Sequence, residues 1–163
     1  MKSIYLIRHA KSSWLKPTLS DFDRPLNDRG KNDIPTIAKK LIKLDFNPEL
    51  ILCSPSKRTR ETLKKLKNHL KLNDEEIKFI DSIYESSTQN LIVLINNLPS
   101  TVNSVALIAH NPAITQLSNY LTDYYIDNIP TCGVVKIDLD IEQWNEIIQG
   151  VGLQNFFIYP KMF

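Results

Sequence analysis

The sequence has few cysteines, almost no excess of either charge and no long hydrophobic run. Its two cysteines, Cys53 and Cys132, lie far apart without metal-ligand or disulfide-framework spacing, so two buried thiols in a reducing cytoplasm are expected. The 20 Lys and Arg residues nearly balance 18 Asp and Glu, and a formal charge of +2 favours neither nucleic acid nor membrane binding. No apolar stretch approaches a membrane span or a signal sequence, which predicts a cytoplasmic protein.

The chain also lacks internal repeats, low-complexity tracts and a recognisable linker. Its 163 residues fall within the usual size of one domain and are sufficient to bury a substantial core. Hydrophobic residues make up 42% and charged residues 23%, which is typical of a globular protein. One domain over residues 1–163 is therefore expected.

Short apolar segments alternate with segments of helical spacing. Strands are predicted at 4–7, 50–53, 77–80, 105–109 and 134–139. Helices are predicted at 34–44, 56–72, 91–98 and 113–121, with Pro35 in the first turn of the first of them. Residues 144–148 are predicted to pair with the preceding strand as a hairpin. This order predicts an α/β fold, a three-layer α/β/α sandwich with a mostly parallel central sheet.

Chemistry-bearing side chains follow three of the predicted strands. Arg8 and His9 follow the first strand, Ser54 follows the second with Arg58 four residues later, and His110 follows the fourth. Ligands of such sheets bind at the carboxyl ends of the strands. We therefore expect these residues, about a hundred positions apart in the chain, to meet in one crevice.

The expected crevice suits a phosphoryl group. Arg8 and Arg58 offer planar forks that match phosphate oxygens. A neutral imidazole can attack phosphorus, and nearby arginine charges would lower the pKa of His9 and keep it neutral. His110 is a candidate hydrogen-bond donor, and the helix after Pro112 can add backbone N–H groups and a positive dipole end.

Each of these residues also has an ordinary interpretation. Arg8 and His9 are compatible with a surface or capping role, Arg58 with a solvated helix face, and His110 with a turn. A metal site is the other explanation for paired histidines. The third histidine, His69, lies in a lysine-rich segment, and no His-x-x-x-His or clustered Cys and Asp pattern exists. No metal and no cofactor are therefore expected.

Several ordered motifs resemble those of a known family. They are LIRHAKSSW at 6–14, DRPLNDRG at 23–30, CSPSKRTRET at 53–62 and LIAHNP at 107–112. Together they resemble the SixA-type phosphohistidine phosphatases of the histidine phosphatase, or phosphoglycerate mutase-like, superfamily. Residues 131–133 and Trp144 also fall where relatives carry similar residues. Ala10 stands where glycine is usual in the superfamily, although some SixA-like relatives carry alanine there.

The resemblance implies a single histidine phosphatase domain over residues 1–163 and assigns roles to its residues. His9 is the implied nucleophile, and Arg8, Arg58 and His110 bind the phosphoryl oxygens and the charge that develops on them. The implied substrate-binding residues are Arg8, Ser12, Arg58, His110 and Asn111. The short chain leaves no room for the long insertions that form a substrate lid in mutases and acid phosphatases, so an open site is implied.

The proton donor to the leaving group is less well defined by sequence. Many superfamily members use a Glu or Asp from another loop, and Glu85 falls roughly where such a residue lies. Asp21 and Asp23, in the early loop, are the alternatives. A carboxylate in a loop is also typical of plain surface charge.

Three functions remain open from sequence. The first is a metal-independent phosphatase that acts on phosphohistidine of a protein, such as a phosphorelay domain, through a covalent intermediate on His9. The second is a small-molecule phosphomonoesterase with a mutase-like site. The third is a non-catalytic phosphate-binding module, which the intact set of Arg8, His9, Arg58 and His110 argues against.

Overall fold

A single six-stranded sheet forms the centre of the protein. The computed structural model describes all residues, 1–163. The strands are β1 (Lys2–Arg8), β2 (Leu50–Cys53), β3 (Ile77–Phe79), β4 (Ser104–Ala109), β5 (Val134–Leu139) and β6 (Gly152–Ile158). Their order is β3-β2-β4-β1-β5-β6, in which β3, β2, β4 and β1 run parallel and β5 is antiparallel to both of its neighbours.

Four helices cover the two faces of this sheet. They are α1 (Asp28–Lys43), α2 (Lys57–Lys67), α3 (Thr88–Asn96) and α4 (Ala113–Leu121). One core cluster joins the sheet to α3 and α4, and a second joins it to α1 and α2. The predicted three-layer α/β/α sandwich with a mostly parallel sheet is therefore confirmed.

Strand β1 shows why a continuous apolar run forms a central strand. Ile4 and Leu6 point into the cluster with α3 and α4, whereas Tyr5 and Ile7 point into the cluster with α1 and α2. All four are at most 3% exposed. Successive side chains of a strand alternate between faces, so a strand covered on both sides needs apolar residues at every position.

The predicted hairpin over 144–148 is wrong, because the strand that forms the hairpin with β5 is β6. Residues Trp144–Glu146 form a short 3-10 turn instead. Trp144 is only 1% exposed, and its indole N–H donates to the carbonyl oxygen of Val102 at 2.8 Å. Burying the ring while satisfying this N–H favours the turn over an edge strand.

Helix α1 begins earlier than its apolar periodicity predicted. The side chain of Asn27 accepts a hydrogen bond from the backbone N–H of Gly30 at 2.8 Å and caps the helix. Pro35 consequently lies in the middle of α1 and not in its first turn. At the other predicted helices, α2 ends at Lys67, five residues early, whereas α4 has the predicted bounds.

None of the helices combines the length and hydrophobicity needed to cross a bilayer.

Candidate active site

The carboxyl ends of three adjacent strands bring the predicted residues together. Arg8 is the last residue of β1, Ser54 follows β2, and His110 follows β4. Since β4 lies between β2 and β1, these ends are neighbours, and the ring centroids of His9 and His110 are 5.3 Å apart. Arg58 reaches the same place from the first turn of α2.

His9 is held in one tautomer by the backbone. Its Nδ1 lies 2.8 Å from the carbonyl oxygen of Ala10, which only accepts hydrogen bonds, so Nδ1 carries the proton. Nε2 of the neutral ring is then the acceptor nitrogen, and it accepts a hydrogen bond from Nε of Arg58 at 3.4 Å. The side chain is only 7% exposed. The geometry thus leaves Nε2 of His9 unprotonated beside a guanidinium.

The pKa of His9 matches this arrangement. Burial lowers its pKa to about 3, and the charges of His110, Arg58 and Arg8 act in the same direction, against the bond to Ala10. The imidazole is therefore neutral at physiological pH.

Arg58 is the central donor of the site. Its Nη1 donates to the carbonyl oxygen of Asp21 at 2.7 Å, and its Nη2 contacts Oδ2 of Asp21 at 3.1 Å. Nη2 also donates to Nδ1 of His110 at 3.3 Å. The side chain is 6% exposed, so its bonds form largely out of water. One rigid fork therefore contacts Asp21 and both histidines.

His110 is oriented by two neighbours. Because Nδ1 accepts from Arg58, Nε2 carries the proton and donates to Oγ of Ser54 at 2.7 Å. Ser54 is fully buried. Burial lowers the pKa of His110 to about 4, assisted by the charge of Arg58. A bound dianion would act in the opposite direction and favour the protonated ring.

Arg8 is fixed by the loop before β5. Its Nη1 donates to the carbonyl oxygen of Ile129 at 2.9 Å, and the side-chain amide of Asn111 donates to the same oxygen at 2.9 Å. Asn111 also accepts from Oγ1 of Thr115 at 2.6 Å. Asn111, whose backbone the resemblance assigns to substrate binding, thus uses its side chain to brace the loop that orients Arg8. Burial and the charge of Arg58 lower the pKa of Arg8.

Two side chains of the site were missed by sequence reasoning. Thr62 is buried, accepts from the backbone N–H of Ala10 at 3.0 Å and donates to the carbonyl oxygen of Arg58 at 2.7 Å. It ties the segment after His9 to α2. Tyr84 stacks edge-on against His110 and donates its hydroxyl to Oδ2 of Asp21 at 2.7 Å. Only the position of Thr62 within the motif at 53–62 offered a signal.

The three candidate proton donors lie in different surroundings. Asp21 contacts Arg58 and Tyr84, and these bonds outweigh burial and lower its pKa. Asp23 is exposed and accepts a hydrogen bond from Ser20. Glu85, next to Tyr84, is exposed with a left-handed backbone at φ 53° and makes no side-chain hydrogen bond or ion pair. Asp21 is thus the carboxylate that contacts Arg58.

Two further residue predictions concern Ser12 and metal ligands. Ser12 is 6% exposed, and its backbone forms an isolated bridge with Leu26. Its side chain makes no hydrogen bond within the protein, so substrate binding by Ser12 stays a prediction. No group of three or more His, Cys, Asp or Glu side chains is arranged to hold a metal ion.

The low pKa of His9 predicts a pH dependence of stability. The unfolded chain binds a proton at this histidine near pH 6.5, whereas the folded chain binds it only near pH 3, so stability falls as pH drops below 6.5. Linkage gives His9 a loss of up to about 2 kcal/mol between pH 7.5 and 5. Urea unfolding gives the free energy of unfolding at both pH values. Its decrease from pH 7.5 to pH 5 should be smaller in His9→Asn than in wild type by this amount. His69→Asn, at an exposed histidine, should keep the full dependence; an equal reduction in both variants would contradict the assignment.

Known proteins share this fold over the whole chain. A crystal structure of a protein from Agrobacterium tumefaciens, described as a phosphohistidine phosphatase SixA, is 26% identical, with a TM-score of 0.80 and coverage of 98% of this chain and 99% of that one. The protein histidine phosphatase SixA in complex with tungstate is 23% identical, with a TM-score of 0.79 and coverage of 98% of both chains.

Sequence comparisons agree with the structural ones. An uncharacterized chloroplastic protein of Arabidopsis thaliana is 29% identical over 153 residues, which span 89% of this chain and 70% of the plant protein. The model of the histidine phosphatase superfamily (branch 1) matches residues 4–87, a segment that contains Arg8, His9 and Arg58. This match covers more than half of the chain, and the chain belongs to the histidine phosphatase superfamily.

Proposed function

We propose that this protein is a phosphohistidine phosphatase, which transfers a phosphoryl group from a histidine of a protein substrate to Nε2 of His9 and then to water. The observation that carries the proposal is the hydrogen bond from Nδ1 of His9 to the carbonyl oxygen of Ala10. It makes Nε2 the acceptor nitrogen of the ring, and Nε2 accepts a hydrogen bond from Nε of Arg58, a side chain proposed to bind the phosphoryl oxygens, in a largely buried site.

The proposed roles of the other residues follow from their donors. Arg58 and Arg8 supply cationic forks for the phosphoryl oxygens, and His110 adds a donor once the bound dianion raises its pKa. In the structure, Asp21 contacts the Nη2 atom of Arg58 that the proposal assigns to a phosphoryl oxygen. Binding of substrate then requires Asp21 to give up this contact. A SixA phosphatase with the same fold forms a complex with the oxyanion tungstate, which is in keeping with a phosphorylated substrate.

Two displacements at phosphorus complete the proposed reaction. In the first, Nε2 of His9 forms a bond to phosphorus while the P–N bond of the substrate breaks and its electron pair stays on the departing imidazole. In the second, water attacks phosphorus and loses a proton to solvent, and the P–Nε2 bond breaks. Nδ1 keeps its proton throughout, because it donates this proton to the carbonyl oxygen of Ala10, so His9 leaves phosphorus as a neutral imidazole. The hydrogen bond to Ala10 therefore keeps Nε2 unprotonated for the attack and makes His9 a neutral leaving group in the second step.

The leaving group favours phosphohistidine over an alkyl phosphate. An alkoxide is strongly basic and needs protonation, for which a placed acid is typically worth about 10²–10⁴-fold. Phosphohistidine has a second ring nitrogen that takes a proton near pH 6.5, so it departs as neutral imidazole. Asp21 has a lowered pKa and is ionised, and Glu85 is exposed without a partner. A site with no poised acid suits a phosphoramidate.

Replacement of the predicted acid tests this substrate assignment. We keep Glu85 as the proposed donor for esters, with Asp21 and Asp23 as its rivals. Glu85→Gln should leave hydrolysis of a phosphohistidine peptide within about twofold of wild type, and slow an alkyl phosphate by about 10²-fold if Glu85 protonates it. The measurement is kcat/KM for the two substrates with wild type, Glu85→Gln and Asp21→Asn.

Two outcomes separate the alternatives. A wild-type preference for phosphohistidine peptide over phosphoglycerates and sugar phosphates supports the proposal. A preference for an alkyl phosphate metabolite that is lost in Glu85→Gln would overturn it in favour of a small-molecule phosphomonoesterase. No turnover of either substrate or of an aryl phosphate would favour a phosphate-binding module.

The proposal includes metal independence and a cytoplasmic location. The two arginines and His110 supply the positive charge that the reaction requires, so chelators should leave turnover unchanged. Cys53 and Cys132 are both free and buried, and burial raises the pKa of each thiol to about 12. Unpaired thiols are the usual state in a reducing compartment.

A further inference from the structure

A cationic cavity adjoins the proposed active site on the side of Arg8. Its volume is about 310 Å³, and it is lined by Arg8, Lys11, Arg29, Asn128, Pro130, Thr131, Tyr159, Pro160 and Lys161. The lining has four cations and no carboxylate, although the whole chain carries a formal charge of only +2. Such a concentration of like charge favours an anionic occupant.

Lys11 and Arg29 are placed side by side by close backbone packing. The backbone N–H of Asn27 donates to the carbonyl oxygen of Lys11 at 3.0 Å. A Cβ at Gly30 would collide with this same oxygen, so only glycine lets the start of α1 approach so closely. Arg29 has one ion-pair partner, Asp33, whose Oδ2 is 3.7 Å from its Nε. The backbone that carries Lys11 and Arg29 is thus held in a fixed position.

Lys161 reaches the cavity from the last turn of the chain. Residues Pro160–Met162 form a 3-10 turn, and the ring of Phe163 lies under Nζ of Lys40 of α1 at 4.2 Å. This contact holds the turn against α1. Nζ of Lys161 has no partner within the protein and remains available to a ligand.

Arg8 links the cavity to the phosphoryl site. Its Nη1 is engaged by Ile129, and its Nε is buried without a hydrogen-bond partner. Buried polar atoms without a partner are uncommon in folded proteins, and one on a cationic side chain is readily satisfied by an anion. The same guanidinium borders both the proposed phosphoryl site and the cavity.

A second, larger cavity continues the surface away from the site. It measures about 680 Å³ and shares Lys11 and Arg29 with the first. Its lining adds Lys16 and Lys31, and two apolar side chains, Trp14 and Leu15, that are 72% and 90% exposed. Asp28 is the one acidic residue in the two linings. An extended surface with cations and exposed apolar groups fits a polypeptide better than a small metabolite.

We propose that these two cavities form a docking surface for acidic side chains that flank the phosphorylated residue of a protein substrate. Lys11, Arg29 and Lys161 bind the carboxylates next to Arg8, while Trp14 and Leu15 contact apolar groups of the same segment. This inference rests on the proposed function, because the flanking segment is defined by a phosphoryl group at His9. The enzyme would then select among phosphohistidine substrates by the negative charge of the residues that flank the target histidine.

Direct binding tests the surface without turnover. The probe is a fluorescein-labelled, unphosphorylated peptide rich in Asp and Glu, compared with its Asn and Gln counterpart by fluorescence anisotropy. Wild type should bind the acidic peptide preferentially. The combined change Lys11→Gln, Arg29→Gln and Lys161→Gln should weaken this binding about tenfold, from three lost charge pairs. The matched control, Lys64→Gln with Lys71→Gln and Lys78→Gln, removes three exposed charges that line neither cavity and should bind as wild type does.

Turnover then separates this inference from the proposed function. Both triple variants should hydrolyse an aryl phosphate at the wild-type rate, whereas only Lys11→Gln/Arg29→Gln/Lys161→Gln should lose the preference for phosphohistidine peptides with acidic flanks. Equal binding of the acidic and neutral peptides by wild type, or an equal loss in both triple variants, would overturn the docking surface. If wild type does not hydrolyse an aryl phosphate, the proposed function is contradicted. The docking surface is then judged by the peptide-binding measurement alone.

Discussion

His9→Ala is expected to abolish turnover of every phosphorylated substrate. The change removes Nε2, the unprotonated ring nitrogen that accepts a hydrogen bond from Arg58 and is the proposed nucleophile. Loss of a covalent nucleophile costs far more than loss of one hydrogen bond, and a fall of at least about 10⁴-fold in kcat is expected. The measurement is steady-state hydrolysis of an aryl phosphate and of a phosphohistidine peptide.

The expected result requires that the variant remains folded. His9 lies at the end of β1 with its ring in the site, and the core clusters on both sheet faces do not include it. A thermal unfolding transition similar to that of wild type is therefore expected. His69→Ala, at an exposed histidine on the surface, is the control and should retain full activity. Full activity of His9→Ala would remove the nucleophile from the mechanism.

Arg58→Ala is expected to have the second-largest effect. The change removes a buried fork that contacts Asp21, His9 and His110. Hydrogen bonds to charged groups contribute about 1.5–3 kcal/mol each, so kcat/KM should fall by at least tenfold, about one decade per 1.4 kcal/mol. Arg58→Lys should restore only part of this loss, because an ammonium group does not bind two oxygens in parallel.

Lysines elsewhere on α2 provide the control for charge alone. Lys64 and Lys67 lie on the same helix and contact none of the site residues. Lys64→Ala and Lys67→Ala should leave kcat/KM within about twofold of wild type, in keeping with the small worth of exposed charges. Equal damage from Arg58→Ala and from the two lysine variants would indicate that general basicity, and not a specific phosphoryl site, governs activity.

The positions of the key residues were predictable because they follow from strand order. Apolar runs such as 4–7 and 105–109 identify buried strands, and the ends of parallel strands lie at one edge of a sheet. Arg8, His9 and His110 therefore met as expected. Arg58 required one further step, since it lies in the first turn of the helix after β2.

Other features depend on contacts that no local pattern encodes. Tyr84 and Asp21 are 63 positions apart, and their hydrogen bond exists only because the tertiary fold brings their two segments together. The strand that pairs with β5 was misplaced because residues 144–148 carry apolar side chains, of which Trp144 packs into the core from a turn. Tertiary packing overrides local propensity in such segments.

Detection of a phosphorylated His9 tests the central claim most directly. The enzyme is mixed with a phosphohistidine peptide, quenched in alkali within milliseconds, digested and analysed by mass spectrometry. We expect one added phosphoryl group on the peptide containing His9, stable in alkali and lost in acid as a phosphoramidate is, and absent from His9→Ala. Turnover at the full rate with no phosphoryl group on His9 at any quench time, or with the group on another residue, would contradict it.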